Sequence, residues 1–252
     1  MNETLKVMKE HRTYRDFDEN YQLKQEDLQY ILDASRQAPS WMNGQMYSII
    51  VIRDLELRRK FVDMNPGNPH MLKSSVFLLF VADLKRTKKV ADHFEVDYPM
   101  NKGLDFLITA VTDASLALEN AVIAVEALGL GSVVVGSIRK DIDEISRLLN
   151  LPDYVMPLAG LSIGKPIVEM RVKPRLPEKA VIHYDHYQDY DYDVIEEYVT
   201  TMQTFAEARE TKLWSQKFAD YFSAGPNTKV DKFLQKQKLF SENQSSSLTD
   251  LK

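Results

Sequence analysis

The sequence predicts a fold in which strands and helices share one large domain that carries appendages. Residues 75–82 form an apolar run without polar alternation, which predicts a strand covered on both faces. Residues 105–128 predict a buried central helix, because they are apolar on almost every side of a helix. With 252 residues and 44% hydrophobic content, the chain can bury a substantial core.

The first part of the chain predicts a helix followed by a strand–helix unit. Apolar residues at helical spacing predict a helix over residues 23–38, which stops at Pro39. The β-branched run at residues 47–52 predicts a strand. Asp54 then offers an N-cap for a short helix that extends through Phe61.

The central helix at residues 105–128 carries a narrow polar stripe and ends at Gly129 and Gly131. Its polar residues recur with heptad spacing, so they share one side of the helix. They are Thr112, Asp113, Glu119, Asn120 and Glu126.

After the central helix, the pattern predicts two more strands. Residues 132–138 predict the first, and Asp141 with Glu144 has the spacing of a capping box that opens a helix. Residues 158–164 predict the second strand. The prolines up to Pro177 then predict an extended, irregular segment.

The C-terminal part predicts a helical extension. Helices are expected around residues 194–214 and 229–240, and residues 241–252 are rich in Ser, Asn and Gln, which predicts disorder. We therefore expect a core at residues 1–187, a helical extension of the same domain at 188–240, and a disordered tail.

Composition excludes several classes of function. Cysteine is absent, which excludes disulfides, thiolate metal sites and cysteine nucleophiles, so redox chemistry would need a cofactor. A net charge of −5 and a pI near 5.6 argue against nucleic-acid binding. No signal-peptide pattern opens the chain, and its longest apolar run, residues 76–82, is too short to span a bilayer. We expect a soluble cytoplasmic protein.

Two short basic clusters lie far apart in the chain. The first contains His11, Arg12 and Arg15, and the second contains Lys173 and Arg175. Guanidinium groups present forked donors that match phosphate or carboxylate oxygens. The clusters fit one small anion held from two sides, although composition alone favours ordinary solvated charge.

Two other segments could contact a heteroaromatic ring. Residues 40–45 combine hydroxyl, amide and aromatic groups between a helix and a strand. Gly136 precedes Ser137, and backbone beside a glycine can approach a flat ring closely. An ordinary loop and a simple strand-end turn explain these two segments equally well.

Patterns for other chemistries are weaker. The sequence has no Gly-x-Ser-x-Gly elbow, no Gly-x-x-x-x-Gly-Lys-Ser/Thr loop and no complete dinucleotide fingerprint after a strand. Residues 183–189 contain two histidines and two aspartates, but their spacing fits a tyrosine-rich surface loop at least as well as a metal site. We expect no metal.

In their order and spacing, the motifs resemble the nitroreductase superfamily, and within it the flavin mononucleotide (FMN)-dependent NADPH oxidoreductases, which include oxygen-insensitive nitroreductases and flavin reductases. The resemblance runs from about residue 5 to residue 215. It implies an α+β fold with a mixed central sheet flanked by helices, assembled as an intertwined homodimer with a C-terminal extension. The motifs that carry it are residues 11–15, 40–45, 129–139, 151–152 and 173–177.

The resemblance also implies which residues hold FMN. Residues of both basic clusters would bind its phosphate and ribityl chain, and the remaining residues would lie near the flavin ring. Asn68 would hydrogen-bond the ring near its reactive nitrogen. The implied set is His11, Arg12, Thr13, Arg15, Ser40, Gln45, Asn68, Val135, Gly136, Ser137, Lys173 and Arg175.

The chain departs from the family pattern at four positions. Asn68 stands where close relatives often have glutamine, and Thr13 stands where serine is common. Ser137 replaces a second glycine, and Val134 stands where an aromatic residue often sits. We expect FMN binding to survive these departures and substrate preference to be affected by them.

The resemblance implies an FMN-dependent NAD(P)H oxidoreductase with a ping-pong cycle. Hydride would pass from NADPH or NADH through FMN to a nitroaromatic compound, a quinone or free flavin, so we assign no catalytic acid or base. Arg209 and Lys212 are candidates for the 2′-phosphate of NADPH, with a solvated helical face as the alternative. Two other functions stay open: a flavin reductase that supplies reduced FMN to a partner protein, and an FMN-binding or storage protein without catalysis.

Overall fold

The computed structural model describes residues 2–100 and 103–240, and the predicted tail lies outside them. The chain divides into two compact units. Of the described residues, the first contains 2–100, 103–170 and 228–240, and the second contains Arg171–Asn227. The predicted boundary between core and extension at residue 187 stays a prediction.

The structure contains helices and strands in the following chain order, which confirms the α+β class. The elements are α1 (Glu3–Lys9), α2 (Gln25–Arg36), β1 (Tyr47–Ile52), α3 (Leu55–Met64), α4 (His70–Lys73), β2 (Val76–Asp83), α5 (Lys85–His93), α6 (Asp105–Ala127), β3 (Gly131–Val135), α7 (Ile142–Leu148), β4 (Val155–Gly164), α8 (Asp193–Phe205), α9 (Trp214–Ser223) and α10 (Thr228–Lys236), with short 3-10 helices at Trp41–Asn43, Gly136–Asp141 and Glu178–Ala180.

One four-stranded sheet, in the order β1-β2-β4-β3, organises the first unit. Its neighbouring strands are antiparallel. A parallel bridge between Thr13 and Ser132 adds the N-terminal segment beside β3. The two central strands are β2 and β4. β3, which leads to the candidate residues Gly136 and Ser137, is an outer strand of the four.

Strand β2 is buried on both faces, as its unbroken apolar run predicts. Side chains alternate across a strand, so Leu78 and Phe80 face the cluster that contains α2 and α6. Phe77 and Leu79 face the cluster that contains α3 and α7. At Gly160 of β4, a Cβ atom would lie 2.0 Å from the Phe77 ring, so only glycine leaves room for it.

Helix α6 is the central helix of the first unit, as predicted. Its small residues Ala114, Ala117 and Ala121 are fully buried against the sheet and α2. Within the described ranges, α6 is the one helix with the length and hydropathy of a membrane span. The core helix of a soluble protein has the same composition, and this helix packs into the main core cluster.

Three local predictions were wrong. The predicted strand at residues 132–138 ends at Val135, because Ile138 is fully buried and the Arg139 guanidinium donates to the Leu158 carbonyl at 2.6 Å, which turns the chain into a 3-10 helix. These contacts come from residues distant in sequence.

The predicted capping box at Asp141 does not form its hydrogen bond. Asp141 instead accepts from Lys229, and Glu144 pairs with Arg147. The helix predicted around residues 194–214 was too long: α8 ends at Phe205, because the backbone at Ala206 turns into the left-handed region with φ 48°, and the next helix, α9, begins only at Trp214.

Candidate functional site

The N-terminal basic cluster is anchored to the end of α6. His11 Nδ1 lies 2.7 Å from the Glu126 carboxylate, and the backbone N–H of Arg12 donates to the same oxygen at 3.3 Å. The Glu126 side chain is only 11% exposed, so these bonds are shielded from water. The last polar residue of the predicted stripe therefore positions the cluster.

Beyond Arg12, the chain runs alongside β3. Thr13 forms its bridge with Ser132, and the Tyr14 N–H donates to the Ser132 carbonyl at 2.9 Å. A Cβ atom at Gly131 would lie 2.8 Å from Tyr14, so glycine permits this close approach. Arg15 is half-buried just beyond the bridge. The segment that the sequence assigns to FMN phosphate is thus held in a fixed, sheet-like path.

Arg12 has a donor that the folded chain leaves unused. Its Nε is buried and, among the described residues, has no hydrogen-bond partner. Arg12, Tyr14 and Glu126 line a pocket of about 190 Å³. Leaving a buried donor unpaired costs about 1–3 kcal/mol, so an anionic oxygen at this position would relieve a penalty already present in the fold.

The loop at residues 40–45 is held by a second polar residue of α6. The Asp113 carboxylate, 1% exposed, accepts from the backbone N–H groups of Trp41 and Met46, both at 3.0 Å. Ser40 Oγ accepts from the Gln45 N–H at 3.2 Å. One buried carboxylate therefore clamps both ends of the loop.

The loop backbone is strained at its centre. Met42, Asn43 and Gln45 have φ values of 49°, 54° and 48°, in the left-handed region that non-glycine residues rarely adopt. Ser40 lines a pocket of about 260 Å³ together with Trp41 and residues of α6. Such strain persists only where surrounding contacts enforce it, and the Asp113 clamp supplies them.

The predicted ring-edge segments meet in the structure. Val135 is buried at the end of β3, Gly136 is exposed, and Ser137 is half-buried. Asn68 Nδ2 donates to Ser137 Oγ at 3.0 Å, which brings the loop before α4 against the end of β3. Two of the positions that depart from the family pattern are thus in direct contact.

Two buried residues that the sequence interpretation missed support this contact. His70 is 2% exposed and bridges Asn68 Oδ1, at 3.2 Å, and Ser162 Oγ, at 3.1 Å. Arg58, 3% exposed, donates to the Ser74 carbonyl at 2.6 Å, just after α4, and burial lowers its pKa. The only sequence signal was a histidine two residues after Asn68.

In the second unit, Lys173 is engaged by acidic residues. Its ammonium pairs with Glu207 and with Glu210, the latter at 3.3 Å. Hydrogen bonds from Lys217 and then Lys173 lower the pKa of Glu210 below its ordinary value. A lowered folded pKa means that this contribution to stability is present at neutral pH and is lost as pH falls through that pKa. Arg175 is exposed.

The segment predicted to bind the nucleotide phosphate lies beside these acidic residues. Arg209 is exposed, whereas the Lys212 ammonium pairs with Asp220. Lys212 lines a pocket of about 590 Å³ whose wall includes Glu207 and Trp214. The second unit therefore brings Lys173 into the same network as the Arg209–Lys212 segment.

The histidine-rich loop at residues 183–189 is organised by local contacts. The Gln188 N–H donates to His183 Nδ1 at 3.3 Å, and the His183 ring packs 4.6 Å from the Tyr187 ring. Within residues 2–100 and 103–240, no group of three or more histidine, aspartate or glutamate side chains is placed to hold a metal ion.

Family models match both parts of the chain. The model described as the nitroreductase family matches residues 8–165, and the model of the C-terminal domain of that family matches residues 173–242. Together they span most of the polypeptide, including both basic clusters.

Three known proteins are similar to the chain over nearly its whole length. An FMN reductase (NAD(P)H) of Bacillus subtilis strain 168 is 36% identical, covering 94% of this chain and 98% of that protein. An oxygen-insensitive NADPH nitroreductase of Salmonella typhimurium is 31% identical over 92% of this chain and 88% of that protein. The structure of an NADPH:FMN oxidoreductase from Vibrio harveyi, complexed with NAD+, has a TM-score of 0.87 at 26% identity, covering 96% of this chain and all of that one.

We expect Asp113→Ala to loosen the loop at residues 40–45, because two backbone donors lose their acceptor at a cost of about 1–3 kcal/mol each. Urea denaturation should show the loss of stability, and limited proteolysis should show faster cleavage in this loop. Glu119→Ala, on an exposed turn of the same helix, is the control. Equal stability and equal cleavage in the two variants would contradict the clamp.

Proposed function

The chain belongs to the nitroreductase family. We propose that it is an FMN-dependent NAD(P)H oxidoreductase that passes electrons to a small oxidised acceptor. The observation that carries the proposal is the near full-length similarity to an FMN reductase and an NADPH nitroreductase. When bound, FMN would supply the redox chemistry, which is hydride and electron transfer between the nicotinamide and the acceptor.

The residues present fit FMN at the N-terminal cluster. The unpaired Arg12 Nε suits a phosphate oxygen, since guanidinium–phosphate hydrogen bonds are charge-assisted. Glu126 holds the His11 ring and the Arg12 backbone N–H, which fixes the position of this cluster. We assign the phosphate and ribityl chain to His11, Arg12, Thr13, Arg15, Lys173 and Arg175.

We assign the flavin ring to the polar segments around Ser40 and Ser137. The Asp113 clamp holds Ser40 and Gln45 in one conformation, so their groups are preorganised before a ligand arrives. Val135 and Gly136 complete the set assigned to the ring, and Asn68 belongs to the same site through its hydrogen bond to Ser137. No side chain in this set needs to act as a general acid or base, and the chain's role is to bind and orient the reactants.

The acceptor proposed is a nitroaromatic compound, a quinone or free flavin. The name of the Bacillus relative favours the flavin reductase alternative, in which reduced FMN is released for a partner protein. Turnover with free FMN that exceeds turnover with a nitro compound and a quinone would favour that alternative. A storage protein without catalysis would retain flavin and resist reduction by NAD(P)H.

We propose that the protein is a homodimer and that it works in the cytoplasm. Support for the dimer comes from apolar residues left exposed on α6 and the adjacent loop, where Ile108 is 59% and Trp41 52% exposed. Two copies of one chain can cover such a surface by packing the same face against each other, and two-fold dimers are the commonest soluble homo-oligomers. The absence of cysteine is compatible with a reducing cytoplasm, which cell fractionation tests.

An absorbance spectrum between about 300 and 550 nm, recorded before and after anaerobic NADPH, tests the activity directly. We expect flavin bands in the purified protein, because the basic clusters retain FMN, and we expect NADPH to bleach them. Bands that persist after NADPH would support the storage alternative. A protein without flavin, even after incubation with excess FMN, would overturn the proposed function.

Arg12→Ala and Arg175→Ala should each weaken FMN binding by about 10- to 100-fold, because each removes a charge-assisted hydrogen bond to phosphate worth about 1.5–3 kcal/mol. Titration of the apoprotein measures the dissociation constants. Riboflavin, which lacks phosphate, should bind the variants and the wild type equally. If one variant keeps wild-type FMN affinity, that cluster does not bind the phosphate.

Arg209→Ala should raise KM for NADPH more than KM for NADH, because only NADPH carries the 2′-phosphate that a guanidinium would bind. Steady-state kinetics with both nucleotides measure the ratio. Lys212→Ala is the companion variant, and its effect should be smaller because Asp220 already neutralises this ammonium. Equal changes for NADPH and NADH would remove Arg209 from this role.

Ile108→Glu should shift the protein from dimer to monomer, since it places a charge within the apolar surface of α6. Light scattering coupled to size-exclusion chromatography measures the mass. Val90→Glu makes the same change at an exposed residue of α5 and should leave the mass unchanged. A wild-type monomer would end the dimer proposal.

A further inference from the structure

A chain of hydrogen bonds runs from the centre of the sheet to the candidate ring site. It begins at Ser162, which is fully buried in β4, and passes through His70 at the start of α4. From His70 it continues to Asn68 and ends at the hydroxyl of Ser137. The sheet interior is thus connected to a half-buried hydroxyl by four polar side chains in series.

The direction of each bond follows from the donors available. Asn68 donates from Nδ2 to Ser137, so its Oδ1 faces His70 and must accept from the Nε2–H of the ring. In the tautomer that carries its hydrogen on Nε2, His70 Nδ1 can accept from the Ser162 hydroxyl, which lies 3.1 Å away. The other neutral tautomer, with hydrogen on Nδ1, would need the Asn68 amide reversed. The Asn68 NH2 group would then donate to His70 Nε2, and the Ser137 hydroxyl would donate to Asn68 Oδ1.

The position of His70 is itself fixed. His70 is 2% exposed, and the Arg58 guanidinium holds the opposite end of the short helix α4 through the Ser74 carbonyl at 2.6 Å. A flipped Asn68 amide would place its NH2 group against the Nε2–H of His70, two donors facing each other in a buried site. In the tautomer with hydrogen on Nε2, the buried histidine therefore takes the Asn68 Oδ1 and leaves the Asn68 NH2 group for Ser137.

We propose that His70 is a positioning residue for FMN: through Asn68 it makes the Ser137 hydroxyl a hydrogen-bond donor to an acceptor atom of the flavin ring. The Ser137 oxygen accepts from Asn68, so its hydroxyl hydrogen is the group left to donate to a ligand. The inference rests on the proposed function, because the ring must be present to accept. Asn68 then acts by orienting Ser137, in place of the direct ring contact that the resemblance implies.

The test measures dissociation constants of the apoprotein for FMN and for riboflavin, which share the ring and differ in the phosphate. Ser137→Ala should weaken both flavins by the same factor, about three- to tenfold for one hydrogen bond. It should also shift the absorption bands of the bound flavin. Ser146→Ala removes another buried hydroxyl, in α7, and should change neither quantity.

His70→Phe keeps a ring in the core and removes both hydrogen bonds. We expect it to weaken both flavins and to shift the bands in the same direction as Ser137→Ala. In the double variant, the His70 change should add nothing, because the hydroxyl through which it acts is gone. A histidine that served only general stability would produce independent, additive effects.

Asn68→Ala provides the same comparison if His70→Phe does not fold, since Asn68 lies in a half-buried loop. It too should add nothing to Ser137→Ala. Additive effects in the double variants, wild-type affinity in Ser137→Ala, or a loss confined to FMN would each overturn the inference. A wild-type apoprotein that binds neither flavin would overturn the proposed function instead, and that measurement needs no variant.

Discussion

The first unit depends on the polar stripe of α6, where acceptors and donors inside an otherwise apolar helix hold the surrounding loops. Asp113 fixes the loop at residues 40–45, and Glu126 fixes His11 and Arg12. Between them, the Asn120 amide donates to the Ala34 carbonyl of α2 at 3.0 Å. Because buried polar groups are costly unless paired, each loop has one low-energy position relative to the helix.

The sheet gives the candidate site its second support. β4 contributes the buried Ser162 and the Leu158 carbonyl, which hold His70 and Arg139 respectively. Arg139 follows Ser137 in the chain, and His70 reaches Ser137 through the Asn68 side chain. The site is therefore built on rigid elements with hydrogen-bonded neighbours, the arrangement that preserves the geometry of a binding constellation.

Charge is handled differently in the second unit. Lys173 and Lys217 share Glu210, and Lys212 pairs with Asp220, so these three lysines near the proposed nucleotide segment already have acidic neighbours. These pairs are partly exposed, and such pairs contribute little net stability because water and salt screen them. These pairs hold residues 171–175 and residues 206–213 in one network. A ligand phosphate would have to compete with the acidic side chains for these lysines.

Hydrophobic pattern alone predicted the doubly buried strand β2 and the central helix α6, because burial on both faces restricts residue type. The α+β class followed from the family resemblance. Ordered motifs also sufficed to identify the family. Local pattern did not reveal that β3 ends at Val135, that Asp141 pairs with Lys229, or that His70 hydrogen-bonds both Asn68 and Ser162. These outcomes depend on atoms contributed by residues far away in sequence, and only the folded chain decides which donor faces which acceptor.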